Sequence, residues 1–164
     1  YVQTNRIDLS KEMLNVAKQK AKKRKIQSNY QFQVGDAMKI PTENDNVDVL
    51  TISFGIRNVE NIKTAFKEFY RVIKPKGKVF ILEFSLPTNP LIKAGYLFYF
   101  RVILPFVGGL YSKDKQAYTY LNQSVEQFPY GEKFCNYLKE AGFENVCYKP
   151  LTFGIATIYQ GEKF

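Results

Sequence analysis

Histidine is absent from the 164-residue chain. That absence removes the usual general base, the commonest metal ligand and every catalytic triad built on imidazole. Proton transfer must use a carboxylate, a tyrosine or water. Cysteine is scarce too: Cys135 and Cys147 stand far apart, and their spacing suggests neither a zinc cluster nor a disulfide framework. Two reduced thiols and no metal are expected, which fits a cytosolic protein. Long apolar runs are also missing. The most hydrophobic stretch, Tyr96 to Tyr111, is interrupted by Arg101 and Pro105 and falls short of the roughly 20 apolar residues of a spanning helix. The polar start of the chain carries no secretory signal, so a cytoplasmic location is expected.

What is present is 45% hydrophobic, enough in this length for one domain with a real core. No internal repeat, low-complexity tract or linker divides it. Acidic residues are outnumbered, 15 against 24 Lys and Arg, for a net charge of +9. Such an excess suits a nucleic acid, an anionic membrane surface or a well-solvated exterior. Much of it lies between Lys18 and Lys25, where a solvated helix face is the plainer reading.

Ser10 can cap a helix with Met13, Leu14, Ala17 and Ala21 on one face. Tyr30 to Val34 reads as a strand running into a loop at Gly35-Asp36, and Asn44-Asp45-Asn46 marks a turn. Val47 to Phe54 is expected to be a strand buried on both faces of a parallel sheet. Ile62, Ala65, Phe66, Phe69, Val72 and Ile73 form a helical stripe ending before Pro75 and Gly77, and the next strand runs from Lys78 to Phe84. Strand, helix and strand in that order point to a parallel crossover in an open α/β sheet, whose ligands sit beyond the carboxyl ends of the strands. On that geometry the candidates are Asp36-Ala37, Ser53 to Asn58 and Glu83 to Ser85. Pro90 to Pro129 interrupts the alternation as an insertion over the sheet edge. Glu132 to Ala141 predicts a helix closed by Gly142, followed by two pairing strands, Asn145 to Tyr148 and Ile155 to Gln160.

Several blocks share one resemblance. Gly35-Asp36-Ala37-Met38-Lys39-Ile40-Pro41, Phe54-Gly55-Ile56-Arg57-Asn58 and Tyr70 to Gly77 are similar in order and spacing to a class I methyltransferase. Phe-Gly-Ile-Arg-Asn resembles the block that marks the ubiquinone/menaquinone biosynthesis C-methyltransferases. The likeness continues through Leu82-Glu83-Phe84-Ser85, Tyr118-Thr119-Tyr120-Leu121 and Gly161 to Phe164, covering the chain from Asp8 onward. It implies a Rossmann-like α/β fold, mostly parallel with an antiparallel last strand, over residues 1–164, with 90–130 covering a substrate.

The resemblance also implies S-adenosylmethionine as methyl donor and a prenylated quinol as substrate. Carried onto this sequence, Asp8 addresses the ribose hydroxyls, Asp36 with the backbone of Ala37 the adenine edge, and Ser53 lies beside the cofactor. The family's first strand and Gly-x-Gly turn are not found here. Tyr1 to Ile7 looks less like the family's strand two than like the tyrosine- and asparagine-containing segment near its amino terminus, so a stretch is expected to be missing between about residues 7 and 8.

Methyl transfer is an in-line displacement that mainly requires alignment and a nucleophilic acceptor. Arg57, always protonated, suits stabilisation of a phenolate or the orienting of a water, and Asn58 can hold the quinol oxygen. The plainer alternative is that both begin the next helix, with Asn58 its cap. Asp36 alone would be turn chemistry. Asp48 is expected to be structural, and Glu83 is open between a structural and a functional role. Tyr96, Phe98, Tyr99, Phe100, Phe106 and Tyr111 are either core or a greasy lid for a prenyl tail, and that lid and the lysines together suit a membrane surface. An open sheet edge by the last strands leaves room for a homodimer. An RNA methyltransferase is disfavoured because the aromatics lie in apolar surroundings, so no nucleic-acid partner is expected. An inactive binding module is the remaining alternative.

Overall fold

The computed structural model describes residues 3–26, 29–106 and 115–164, excepting the side chains of 115–119. Tyr111, Tyr118 and Thr119, singled out above, lie outside these described groups. The chain opens with β1 (Thr4–Asp8), α1 (Lys11–Lys23) and β2 (Tyr30–Val34). These form a two-stranded parallel sheet in which Asp8 is opposite Val34. β1 is a correction: Thr4–Asp8 is a strand paired with β2, so the reading of Tyr1 to Ile7 as unlike strand two does not stand. Its polar sequence is tolerated because both faces are largely exposed. Ser10 caps α1 through Met13 N, but only Leu14 and Ala21 of the expected apolar face are buried; Met13 is exposed.

The larger sheet contains β3 (Val47–Ser53), β4 (Ile73–Phe84), β5 (Glu144–Leu151) and β6 (Ala156–Glu162), in the order β3-β4-β6-β5. β3 and β4 are parallel, and β6 runs antiparallel to both neighbours. Three parallel strands and a reversed last one are thus the expected pattern. α2 (Ile62–Val72) crosses between β3 and β4, capped by Asn61, whose side chain accepts from Thr64 N at 3.0 Å. That corrects Asn58 as the cap. Ile73 takes an extended backbone at the helix end and pairs with Val47, so β4 begins earlier than Lys78.

The apolar stripe of α2 buries Ala65, Phe66, Phe69 and Val72 against Val79 and Ile81 of β4 and against Phe134 and Leu138 of α5 (Glu132–Glu140). Gly142 ends α5 with φ 104°, a conformation glycine adopts without strain. β3 departs from expectation. No residue of it is fully buried, and Val49 is 53% exposed, because among the described residues β3 pairs only with β4.

Residues after β4 build a second, smaller core. Asn89 caps α3 (Pro90–Phe98), which continues through a wider turn, Tyr99–Ile103, and α4 (Lys115–Gln127) packs across it. Leu86, Tyr96, Phe100 and Val125 are its centre. The aromatic stripe therefore divides: Tyr96 and Phe100 are core, while Phe98, Tyr99 and Phe106 are exposed. Among the described residues no helix is long and apolar enough to cross a membrane.

Candidate functional site

The named positions gather at the carboxyl ends of the parallel strands. Asp8 closes β1, and its main-chain oxygen accepts from Gly35 N at 3.2 Å, which ties the end of β1 to the loop after β2. Each aspartate there uses Oδ1 locally: Asp8 for Ser10 N and Asp36 for Met38 N, both at 2.8 Å. Oδ2 of each makes no hydrogen bond among the described residues. A free carboxylate oxygen at a strand end is the acceptor that ribose or adenine donors require.

Ala37 lies in the turn after Asp36 and packs on the main core with Met38 and Ile40. The loop is pinned from α2, where Glu68 Oε1 accepts from Ile40 N at 2.8 Å and Glu68 pairs with Arg71. Ser53 ends β3 opposite Leu82 and is exposed. It belongs to the other sheet, and no hydrogen bond among the described residues joins it to Asp8 or Asp36. The two carboxylates, as acceptors at strand ends, and the Ser53 hydroxyl suit the hydroxyl and amino donors of a nucleoside.

Immediately after Ser53 the chain turns sharply. Phe54 sits at φ 54°, a left-handed conformation costly for a residue with a side chain and recurrent at functional sites. Its ring lies 4.5 Å from that of Phe84. A single 3-10 turn, Ile56–Asn58, follows, with Ile56 completely buried.

Arg57 folds back from this turn. Its Nη1 donates to Phe54 O at 2.7 Å and to Glu83 Oε1 at 2.6 Å, and its Cζ stands 5.4 Å from the Phe84 ring centroid. Glu83 is 1% exposed, and the Arg57 side chain 10%. Nε of Arg57 is buried without a partner. Asn58 accepts from the Tyr120 hydroxyl at 3.2 Å, so α4 closes over the turn.

Between them is a cavity of about 340 Å³ whose lining includes Arg57, Tyr120, Gln123, Ser124 and Gln127. The structure thus brings Arg57 and Asn58 together with two residues that sequence reasoning had not joined to them. In the sequence Glu83 is open between a structural and a functional role, and Tyr120 enters only through the resemblance. The signal for Glu83 was a carboxylate inside an apolar strand. Asp48, by contrast, is an exposed partner of Lys74 at 2.9 Å. Among the described residues no group of three or more Cys, Asp or Glu is placed to hold a metal ion.

The ubiE/COQ5 methyltransferase family matches residues 2–163. The chain belongs to that family. It is 46% identical over 157 residues to the ubiquinone/menaquinone biosynthesis C-methyltransferase UbiE of Geotalea daltonii, covering 96% of this chain and 66% of that protein. It is 42% identical to the mitochondrial 2-methoxy-6-polyprenyl-1,4-benzoquinol methylase of Homo sapiens, over 95% of this chain and 48% of that one. The chain therefore spans two thirds or less of the length of these relatives.

Among solved structures, phosphoethanolamine N-methyltransferase 2 of Haemonchus contortus in complex with S-adenosyl-L-methionine aligns with a TM-score of 0.70 at 17% identity. That match covers 98% of this chain and 43% of the other. The fold of this family member is that of the class I methyltransferases, a mixed sheet with helices packed on it.

Proposed function

We propose that the protein transfers a methyl group from S-adenosylmethionine to a ring carbon of a prenylated quinol, as in menaquinone or ubiquinone synthesis. Family membership over nearly the whole chain supports the reaction class. The observation that carries the substrate is Arg57, a guanidinium fixed at the mouth of a cavity beside the end of β3. Bound S-adenosylmethionine supplies an electrophilic methyl on a sulfonium. Asp8 and Asp36 accept from its ribose and adenine, and Ser53 lies along it.

A quinol ring carbon becomes nucleophilic when the neighbouring hydroxyl gives its proton to water. That carbon then bonds the methyl as the methyl–sulfur bond breaks, and its own hydrogen leaves as a proton to water when the ring regains aromaticity. Arg57 stabilises the developing phenolate through N–H groups already in place, and Asn58 orients the oxygen. Tyr120, Gln123 and Ser124 of α4 form the facing wall, against which the ring packs. Residues 90–130 cover the substrate within a single domain. Their exposed apolar face, with Leu91 83% and Phe106 70% exposed, meets the prenyl tail at the cytoplasmic face of a membrane.

The test offers the full chain methyl-labelled S-adenosylmethionine with demethylmenaquinol and 2-methoxy-6-polyprenyl-1,4-benzoquinol side by side. Label is expected in a quinol ring, and the ring labelled names the pathway. Cofactor binding without label in either ring sinks the substrate assignment.

A further inference from the structure

We propose that Glu83 is the positioning residue of Arg57: it fixes the guanidinium by one corner so that the remaining N–H groups meet a phenolic oxygen in the adjoining cavity. This rests on the quinol reading of the site. Glu83 lies in β4 opposite Thr157 of β6, in a strand segment otherwise built from Val79, Phe80, Ile81, Leu82 and Phe84. An apolar side chain of similar volume would pack there without the cost of desolvating a charge. What the carboxylate adds is geometry. Oε1 accepts from Arg57 Nη1 at 2.6 Å and from Phe84 N at 2.9 Å, while Oε2 faces Arg57 N at 3.4 Å. Backbone and side chain of Arg57 are thus gripped by one group, which the β4 ladder itself holds still.

The accounting of donors leads to the ligand. Arginine carries five N–H groups. Among the described residues only Nη1 has protein acceptors, and Nε is buried with none. Nη2 is neither bonded among the described residues nor buried, so an oxygen in the cavity meets it first, and the shared guanidinium carries the effect to Nε. Because Glu83 and Arg57 together carry no net charge, attraction to a distant anion is weak and the directed N–H bonds decide. They strengthen most for an oxygen that gains charge where it sits, as a phenol does on losing its proton. A merely structural ion pair would leave this donor indifferent to such a ligand.

The experiment uses protein labelled with 15N-arginine and 1,4-naphthalenediol, a reduced quinone head without a tail, as probe. In the wild type the Arg57 Nη1 protons are expected to be held in slow exchange, and the Arg57 Nε–Hε signal is expected to move as the diol is added. Glu83→Gln keeps the size of the side chain and removes its charge. It is expected to weaken the diol by about tenfold to a hundredfold, with far-UV circular dichroism unchanged. A wild-type Nε signal that ignores the diol, freely averaging Nη1 protons, or a Glu83→Gln protein that binds the diol like the wild type each overturns the proposal. The wild-type signals decide even if the variant fails to fold. Failure of the methyl-transfer reading looks different: Arg57 Nε moves with the diol, yet neither quinol takes up label.

Discussion

Glu68 joins a loop to a helix. Its Oε1 accepts from Ile40 N and Arg71 Nη2, and its Oε2 accepts from Arg71 Nε at 2.8 Å. Arg71 in turn reaches Ile40 O and Asn44. The segment that carries Asp36 and Ala37 is therefore stapled to α2 by one bidentate pair, half-buried at Arg71 and more deeply set at Glu68. Hydrogen bonding to Arg71, ahead of the backbone bond from Ile40, holds the Glu68 carboxyl below its ordinary value of 4.5. A depressed carboxylate contributes stability fully above that value and loses it as the pH falls through its folded value. Glu68→Gln is expected to cost about 1–3 kcal/mol at pH 7, and the gap should shrink as denaturation is measured at progressively lower pH below 4.5. A gap independent of pH would mean that the carboxylate charge is not what holds the loop. At this scale the sequence makes Gly35-Asp36 and Phe-Gly-Ile-Arg-Asn readable because each is a local turn. The partnership of Arg57 with Glu83 spans 26 positions and exists only once β3 and β4 lie side by side.

Elements were legible where one face is buried. The stripe of α2 gave its helix almost to the residue, and the pairing of the last two strands followed from short apolar runs. β1 was not, since Thr-Asn-Arg-Ile-Asp has no buried face to impose alternation and is a strand only through its pairing with β2. The helical segment from Pro90 presents both situations at once. Tyr96 and Phe100 stack at 5.0 Å in the small core, and burial, with Glu126 nearby, pushes the Tyr96 hydroxyl up to about 12. Leu91, Phe98, Val102 and Phe106 instead share an exposed face, and no pattern of hydrophobicity alone separates the two sets. An apolar stripe left open beside Lys93, with Arg101 held by Glu126, suits a bilayer surface. Replacing Phe98 and Phe106 together with serine removes exposed rings without touching the core. Co-sedimentation with vesicles containing phosphatidylglycerol is expected to fall by about tenfold while the unfolding midpoint stays put. Equal sedimentation of both proteins, or none by the wild type, would remove the membrane from the proposal.

Taken as a whole, the molecule distributes its stability unevenly, and the division runs through the proposed cofactor site. β4 and β6 have hydrogen-bonded neighbours on both sides, and the principal core packs on them. β1 and β2 pair only with one another among the described residues and rest on α1, whose buried residues are Leu14 and Ala21. Local opening scales with such differences in burial and pairing. Amide hydrogen exchange is therefore expected to be slowest in β4 and β6 and markedly faster in β1 and β2. Asp8 and Asp36 lie at the ends of the faster pair, whereas Ser53 ends a strand of the slower sheet and Arg57 lies in the turn after it. A ligand that uses both groups must fasten one sheet to the other, so S-adenosylhomocysteine should slow exchange in β1 and β2 far more than in β4. Protection confined to the β3–β4 side would show that the aspartates do not take part in binding. Uniform slow exchange without ligand would show that the two sheets already open as one unit.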